Sequence, residues 1–337
     1  MKKTIFTLMT AAAALLMASC SNADQEFDDY NYQTVYFANQ NVVRTITLGD
    51  DVYPTDLDNQ HKFQVYATLG GVWKNREART VQVAVDPSLC NNLSFASNGN
   101  AVTALPSDYY KLESNTITIE EGQIMGCITV DLTDKFFADA KSNDLNYVLP
   151  LRIVNAGDSV LKGKDYVLYA LKLKNKYTGS WLSRGTDVID LNGTVSTVIR
   201  HAEYVEKDEI RYLTTAGLNV CNYALSNTVA VDVQDASGAV KKDNKTLSCN
   251  LLLTFDASDN CTVTTNTADC VVSGNGKWEY QAAKKAWGDK DRDQLVLNYN
   301  VRYNYTDNGT QKYKTYECKD TLVMQSRLSK KELFTTK

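Results

Sequence analysis

Oxygen ligands on alternate residues can converge on a hard cation, and Asp289, Asp291 and Asp293 in Gly288-Asp-Lys-Asp-Arg-Asp-Gln carry that spacing. Their neighbours argue against a calcium loop. Gln294 replaces the turn glycine, no Glu stands at the twelfth position, and Lys290 and Arg292 interleave. The run reads instead as a solvated loop with local ion pairs. Zinc is not expected either, because His61 and His201 are the only histidines and no CxxC pair occurs. Glycoside hydrolysis needs two carboxylates facing each other across a cleft, and nothing singles out a pair among 40 acidic residues. No Gly-x-Ser-x-Gly, zinc-protease helix or phosphate loop is present. The expectation is a protein without catalytic residues, metal or cofactor.

The four tryptophans carry the remaining chemistry. Trp181 and Trp278 sit in strand-like segments and are read as core. Trp73 follows Gly70-Gly71 and precedes Lys74-Asn75-Arg76, a turn; Trp287 lies in "QAAKKAWGDKDRDQ", read as a charged connection between strands. A ring in a polar loop can stack on the C–H face of a sugar while neighbouring Asp, Asn, Lys and Arg bind hydroxyls. The same ring can also fold back and cap its own domain. Trp287 and Trp73 are therefore the candidate glycan-binding residues. The formal net charge is −4, and no Lys/Arg run makes a polyanion-binding stripe, so nucleic acid is not an expected partner.

The elements that hold these residues begin at an export signal. Lys2 and Lys3 precede a short apolar core from Ile5 to Met17, and Ala18-Ser19 precede Cys20. The core is too short to span a bilayer, which takes about 20 residues. The cysteine after two small residues resembles a lipobox, with Met17 where that pattern most often has Leu. Residues 1–19 are thus expected to be a cleaved lipoprotein signal, with Cys20 acylated. Residues 20–33 read as a flexible acidic tether, similar to the surface-export signals of Bacteroidetes lipoproteins. Loss of Lys2 and Lys3 leaves 34 basic against 40 acidic residues. Seven cysteines remain after Cys20. Export permits disulfides, but the odd number leaves at least one thiol over if all bonds are internal, and most are expected to serve as small buried hydrophobes.

Downstream, period-two alternation recurs between clusters of Asn, Asp, Gly and Ser. Phe63, Val65, Ala67 and Leu69 share one face, as do Val81, Val83 and Val85, then Ile117 with Ile119, and Ile128 with Val130 and Leu132. Residues 147–154 and 166–173 are apolar on both parities, as in strands covered on each side. About seven strands by residue 174 predict an immunoglobulin-like β-sandwich over 34–174. After Lys174-Asn175-Lys176-Tyr177, Gly179-Ser180-Trp181 opens a second set. Its clearest strand puts Leu295, Leu297, Tyr299, Val301, Tyr303 and Tyr305 on one face. Turns are expected at Asp256–Asn260, Gly274-Asn275-Gly276 and Asp307-Asn308-Gly309. Such a series predicts an antiparallel meander that closes as a barrel over 175–337.

Leu105-Pro106-Ser107-Asp108-Tyr109-Tyr110, "TITIEEGQIMGCITVDLTD", "YVLPLRI" and "YALKLKN" together resemble a Bacteroidetes N-terminal domain of unknown function. That domain is found in surface lipoproteins, and ahead of family-eighteen endo-β-N-acetylglucosaminidases. The likeness spans roughly residues 30–174 and implies membership of a glycan-utilisation locus, without supplying a catalytic residue. The Gly-x-Trp start with Arg327 near the last strand is similar to lipocalin-like C-terminal domains of the same lipoproteins. It implies a structural role for Trp181, with Arg327 across its face. The resulting expectation is an all-β, non-catalytic lipoprotein of the outer membrane, facing the exterior. Its expected partners are oligo- or polysaccharide and a SusC/SusD-type uptake system. An adhesive or structural protein, and a glycoside hydrolase or its accessory subunit, remain alternatives.

Overall fold

The computed structural model describes residues 32–71, 73–234 and 239–337. The signal, Cys20 and nearly all of the tether lie outside them. The chain opens with β1 (Thr34–Tyr36), β2 (Asn41–Thr47), β3 (Lys62–Gly70), β4 (Arg79–Val85), β5 (Thr103–Ala104), β6 (Tyr110–Leu112), β7 (Thr116–Ile119), β8 (Met125–Leu132), β9 (Tyr147–Ala156), β10 (Ser159–Val160) and β11 (Tyr166–Lys174). One sheet runs β10-β1-β3-β8-β6 and the other β2-β11-β9-β4-β7, with β5 beside β9. Alternation sends one parity of each strand inward. Phe63 and Val65 of β3 meet Ile117, Ile119, Leu149 and Leu151 in a core between the two sheets.

The doubly apolar strands have a specific cause. The inner parity of β9 and β11 faces that core, while Val148, Leu168 and Ala170 on the outer parity pack under Cys90, Phe95, Val102 and Phe334. A second, smaller core thus covers the outside of the sheet.

The remaining strands are β12 (Gly179–Leu191), β13 (Thr194–Arg200), β14 (Glu209–Gly217), β15 (Val220–Gln234), β16 (Val240–Phe255), β17 (Asn260–Thr265), β18 (Cys270–Trp287), β19 (Lys290–Asp307), β20 (Thr310–Ser326) and β21 (Glu332–Leu333). They pair in the order β13-β12-β14-β15-β16-β17-β18-β19-β20, and β12 also pairs with β20, which closes the barrel. The inward face of β19 is the predicted one, Leu295 to Tyr305, all buried. The architecture is all-β, a sandwich followed by a lipocalin-like barrel. The Gly-x-Trp motif sits where the barrel starts. A Cβ on Gly179 would stand 2.4 Å from the Ser326 carbonyl oxygen, so β12 and β20 approach this closely only with glycine there. Trp181 is fully buried and donates its indole N–H to the Tyr177 carbonyl at 3.1 Å.

Three expectations are corrected. Gly274-Asn275-Gly276 is no turn but the middle of β18, paired with both β17 and β19. A Cβ at Gly274 would lie 2.4 Å from the Tyr299 Cβ, and one at Gly276 2.3 Å from the Val296 carbonyl oxygen. These glycines serve close backbone approach. The barrel also does not run to residue 337. After β20 the tail returns to the sandwich, where β21 pairs with β2 and Phe334 lies 5.1 Å from the Phe95 ring. The third correction concerns the end of β18. It reaches Trp287 itself, so the charged segment is a bulged hairpin and not a loop.

Candidate functional site

A wide concavity lies where the sandwich meets the barrel. It has a volume of about 1010 Å³ and is walled by β2, β11, the loop before β3, β14 and the tail after β20. The outer parity of β11 leads into it. Tyr166, Leu168 and Ala170 lie at or under the apolar cover, and the next two residues of that parity, Lys172 and Lys174, emerge into the cleft. The parallel register with β2 sets Thr45 beside Lys172 and Thr47 beside Lys174. From the opposite wall β14 presents Tyr212, which is 56% exposed, and the loop before β3 presents Tyr53, 45% exposed.

One buried side chain holds the walls together. Arg327 donates to the carbonyl oxygens of Thr178 (2.9 Å), Asn175 (2.8 Å), Leu48 (3.1 Å) and Asp50 (3.1 Å). It therefore ties the end of β2, the interdomain linker and the tail in a single knot. Asn175 locks the linker further, donating to the Gly217 and Val220 carbonyls at 2.9 Å each. No contact places the guanidinium over the Trp181 ring among the described residues. The expected cation–π pair is replaced by carbonyl bonds, because four linker and loop carbonyls converge there and need donors.

Charge in the cleft is uneven. Arg44 pairs with Asp58, which also accepts the Thr47 N–H at 2.9 Å. Lys172 and Lys330 share Glu332. Lys174 has no ion pair among the described residues; it donates to Ser329 Oγ at 2.7 Å and to the Arg327 carbonyl. Burial, followed by the neighbouring Arg327 charge, pushes the Lys174 ammonium down to about 8.

The barrel interior is a weaker candidate. Arg200 donates twice to Asp187, at 2.7 and 2.9 Å, and also to Asp320, which accepts the Tyr299 hydroxyl at 2.9 Å. Burial lifts the Asp320 carboxyl above its ordinary range, with Arg200 opposing the shift. Side chains leave a cavity of only about 40 Å³, room for a few waters and not for a sugar.

Neither candidate tryptophan lines the cleft. Trp73 stands 69% exposed beyond β3, beside Gly71, whose Cβ would meet the Tyr32 carbonyl. Trp287 is half-buried with the Arg292 guanidinium 4.5 Å over its ring, so one face is already occupied. The three alternating aspartates of that hairpin serve it locally. Asp291 accepts from the Lys285 backbone and the Lys284 ammonium, and Asp293 from the Gln281 backbone, each at 3.0 Å. Gln281 and Lys285 have positive φ, and these carboxylates satisfy the amides freed by the bulges. Among the described residues no acidic, His or Cys group could hold a metal. Among the described residues all seven cysteines are free and five are buried. Sequence reasoning missed Tyr53, Tyr212, Lys172 and Lys174; the one available signal was the change from apolar to Lys along the outer parity of "YALKLKN".

Fold and site together define a two-domain β protein with a cation-lined cleft at its domain junction. A family model for a domain of unknown function (DUF5627) matches residues 176–328, and one described as an N-terminal domain matches 30–160. A crystal structure of a Bacteroides ovatus structural-genomics protein of unknown function is 36% identical, covering 91% of this chain and 99% of that one with a TM-score of 0.80. The chain belongs to the same family as that protein, with a DUF5627 C-terminal domain. Two further Bacteroides ovatus structures of unknown function are 14% and 12% identical, covering 90% and 88% of this chain and 99% and 94% of theirs, with TM-scores of 0.45 and 0.44. No curated protein matches the chain.

Proposed function

We propose that this protein is a non-catalytic, lipid-anchored protein of the outer membrane that binds oligosaccharide in its interdomain cleft, beside a SusC/SusD-type uptake system. The observation that carries the reading is the cleft itself. It is open, wide enough for a multi-residue ligand, and offers the exposed rings of Tyr53 and Tyr212 among hydroxyl and charged side chains. Aromatic faces take sugar C–H groups, and the polar atoms between them take hydroxyls. Anchoring rests on Cys20 directly after Ala18-Ser19. Weak affinity is adequate for an anchored protein, because tethering raises the effective concentration beside its partners.

Isothermal titration of residues 21–337 against a glycan panel tests the binding. Tyr212→Ala and Tyr53→Ala should each weaken it about twofold to tenfold, at about 0.5–1.5 kcal/mol per lost ring contact. Trp287→Ala and Trp73→Ala should leave it unchanged. Loss through the tryptophans instead would move the site, and an empty panel would favour the adhesive reading. Release of reducing sugar would make the protein an enzyme. Equal clickable-palmitate labelling of wild type and Cys20→Ala would remove the anchor.

A further inference from the structure

We infer that the glycan taken by this cleft is anionic, its carboxylate or sulfate oxygens binding the Lys174 ammonium, with Lys331 at the rim. The inference rests on the cleft being the glycan site and adds the class of sugar. Its first ground is charge. Arg44, Lys172, Lys174, Arg327, Lys330 and Lys331 line the cleft against three carboxylates, Asp51, Asp58 and Glu332. The wall is thus net cationic on a chain whose formal net charge is −4. A concave surface of one sign, backed by protein, concentrates ligands of the other.

The second ground is how that charge is distributed. Asp58 is occupied by Arg44, and Glu332 by Lys172 and Lys330. Asp51 accepts from Ser329 Oγ. No ion pair among the described residues reaches Lys174, Lys331 or Arg327. The Arg327 donors are committed to backbone carbonyls, so this residue supplies field and not contacts. Lys174 is left as a partly desolvated ammonium whose hydrogen bonds go to a hydroxyl and a carbonyl. An ammonium so placed gains most from an oxyanion. Thr47 neighbours Lys174 across the β2–β11 pairing, and a neutral sugar would leave the excess charge unanswered.

Three probe sets of matched length separate the sources of the anion: neutral glucan oligosaccharides, oligogalacturonates and sulfated galactan oligosaccharides. They are titrated into the chain from residue 21, which keeps both domains. At least one anionic set should bind about tenfold or more tightly than the neutral set, with the advantage shrinking in high salt. Lys174→Met should abolish that preference, and Lys331→Gln, on the exposed tail, should reduce it about twofold to threefold. Equal affinity for neutral and anionic sets overturns this inference and leaves the cleft reading intact. Anionic binding that survives Lys174→Met but fails in Tyr212→Ala also overturns it, since the cleft would then bind without the ammonium. Binding by no set overturns the cleft reading itself, and this inference with it.

Discussion

Arg200→Met removes a guanidinium from the barrel interior while keeping a long apolar side chain. In the native barrel Arg200 serves two carboxylates at once, and the Asp187 and Asp320 side chains are only 12% and 1% exposed. Removing one partner of a buried ion pair strands the other in a medium of low polarity, at a cost of about 3–5 kcal/mol. Tyr299 still donates to Asp320, which limits the penalty at that carboxylate but not at Asp187. With a urea slope of about 2 kcal/mol per M, the unfolding midpoint should fall by about 2 M. Tryptophan fluorescence reports the event, because Trp181, Trp278 and Trp287 all belong to the barrel. The pH dependence follows from the sign of the Asp320 shift. Its folded value is already raised by burial, and loss of Arg200 raises it further above the unfolded value. The ionised form is therefore the destabilised one. The deficit of the variant should be full above the raised folded value and shrink as pH falls toward about 4, where the unfolded carboxylate also protonates. Adding Asp187→Asn and Asp320→Asn should restore most of the loss at pH 7. A drop under about 1 kcal/mol, or a deficit that grows in acid, would refute the account.

Gly179→Ala forces a Cβ to within 2.4 Å of the Ser326 carbonyl oxygen; overpacking of this kind costs about 1–3 kcal/mol, read as a lower barrel melting temperature. Phe334→Ala should destabilise the sandwich by about 3–5 kcal/mol, although residue 334 follows the whole barrel, and denaturant melts of tail-truncated and full chains check it. Anionic ligand affinity should weaken as pH rises from 7 to 9, because Lys174 loses its proton near 8 in the free protein. Arg327, Asp51, Lys172 and Glu332 face that ammonium, so the same titration in Lys174→Arg, which stays charged, should be flat.

Alternation in the sequence determined which face of most strands is inside. The inward faces of Phe63, Val65 and Ala67, and of Leu295 through Tyr305, follow from that pattern alone, because a strand's sidedness is a local property with period two. Double-sided burial of β9 and β11 was legible for the same reason, as was the Asp307-Asn308-Gly309 hairpin. Glycine was ambiguous. Gly274 and Gly276 permit a turn and equally permit close strand approach, and only the crossing of β18 with β19 chose the second. Trp287 looked available because its neighbours are polar, yet Arg292, three residues beyond the Gly288-Asp289 turn, covers its ring. The cleft was out of reach altogether. Its walls come from residues 42–58, 172–178, 212–215 and 327–333, and no period links them. They meet because sandwich and barrel are fixed against each other by Arg327, whose four carbonyl partners are contributed by the segment just after β2 and the linker. Local pattern encodes which side of a strand is buried, whereas the stacking of two finished cores depends on where their ends emerge in space, and that was decided only in the tertiary structure.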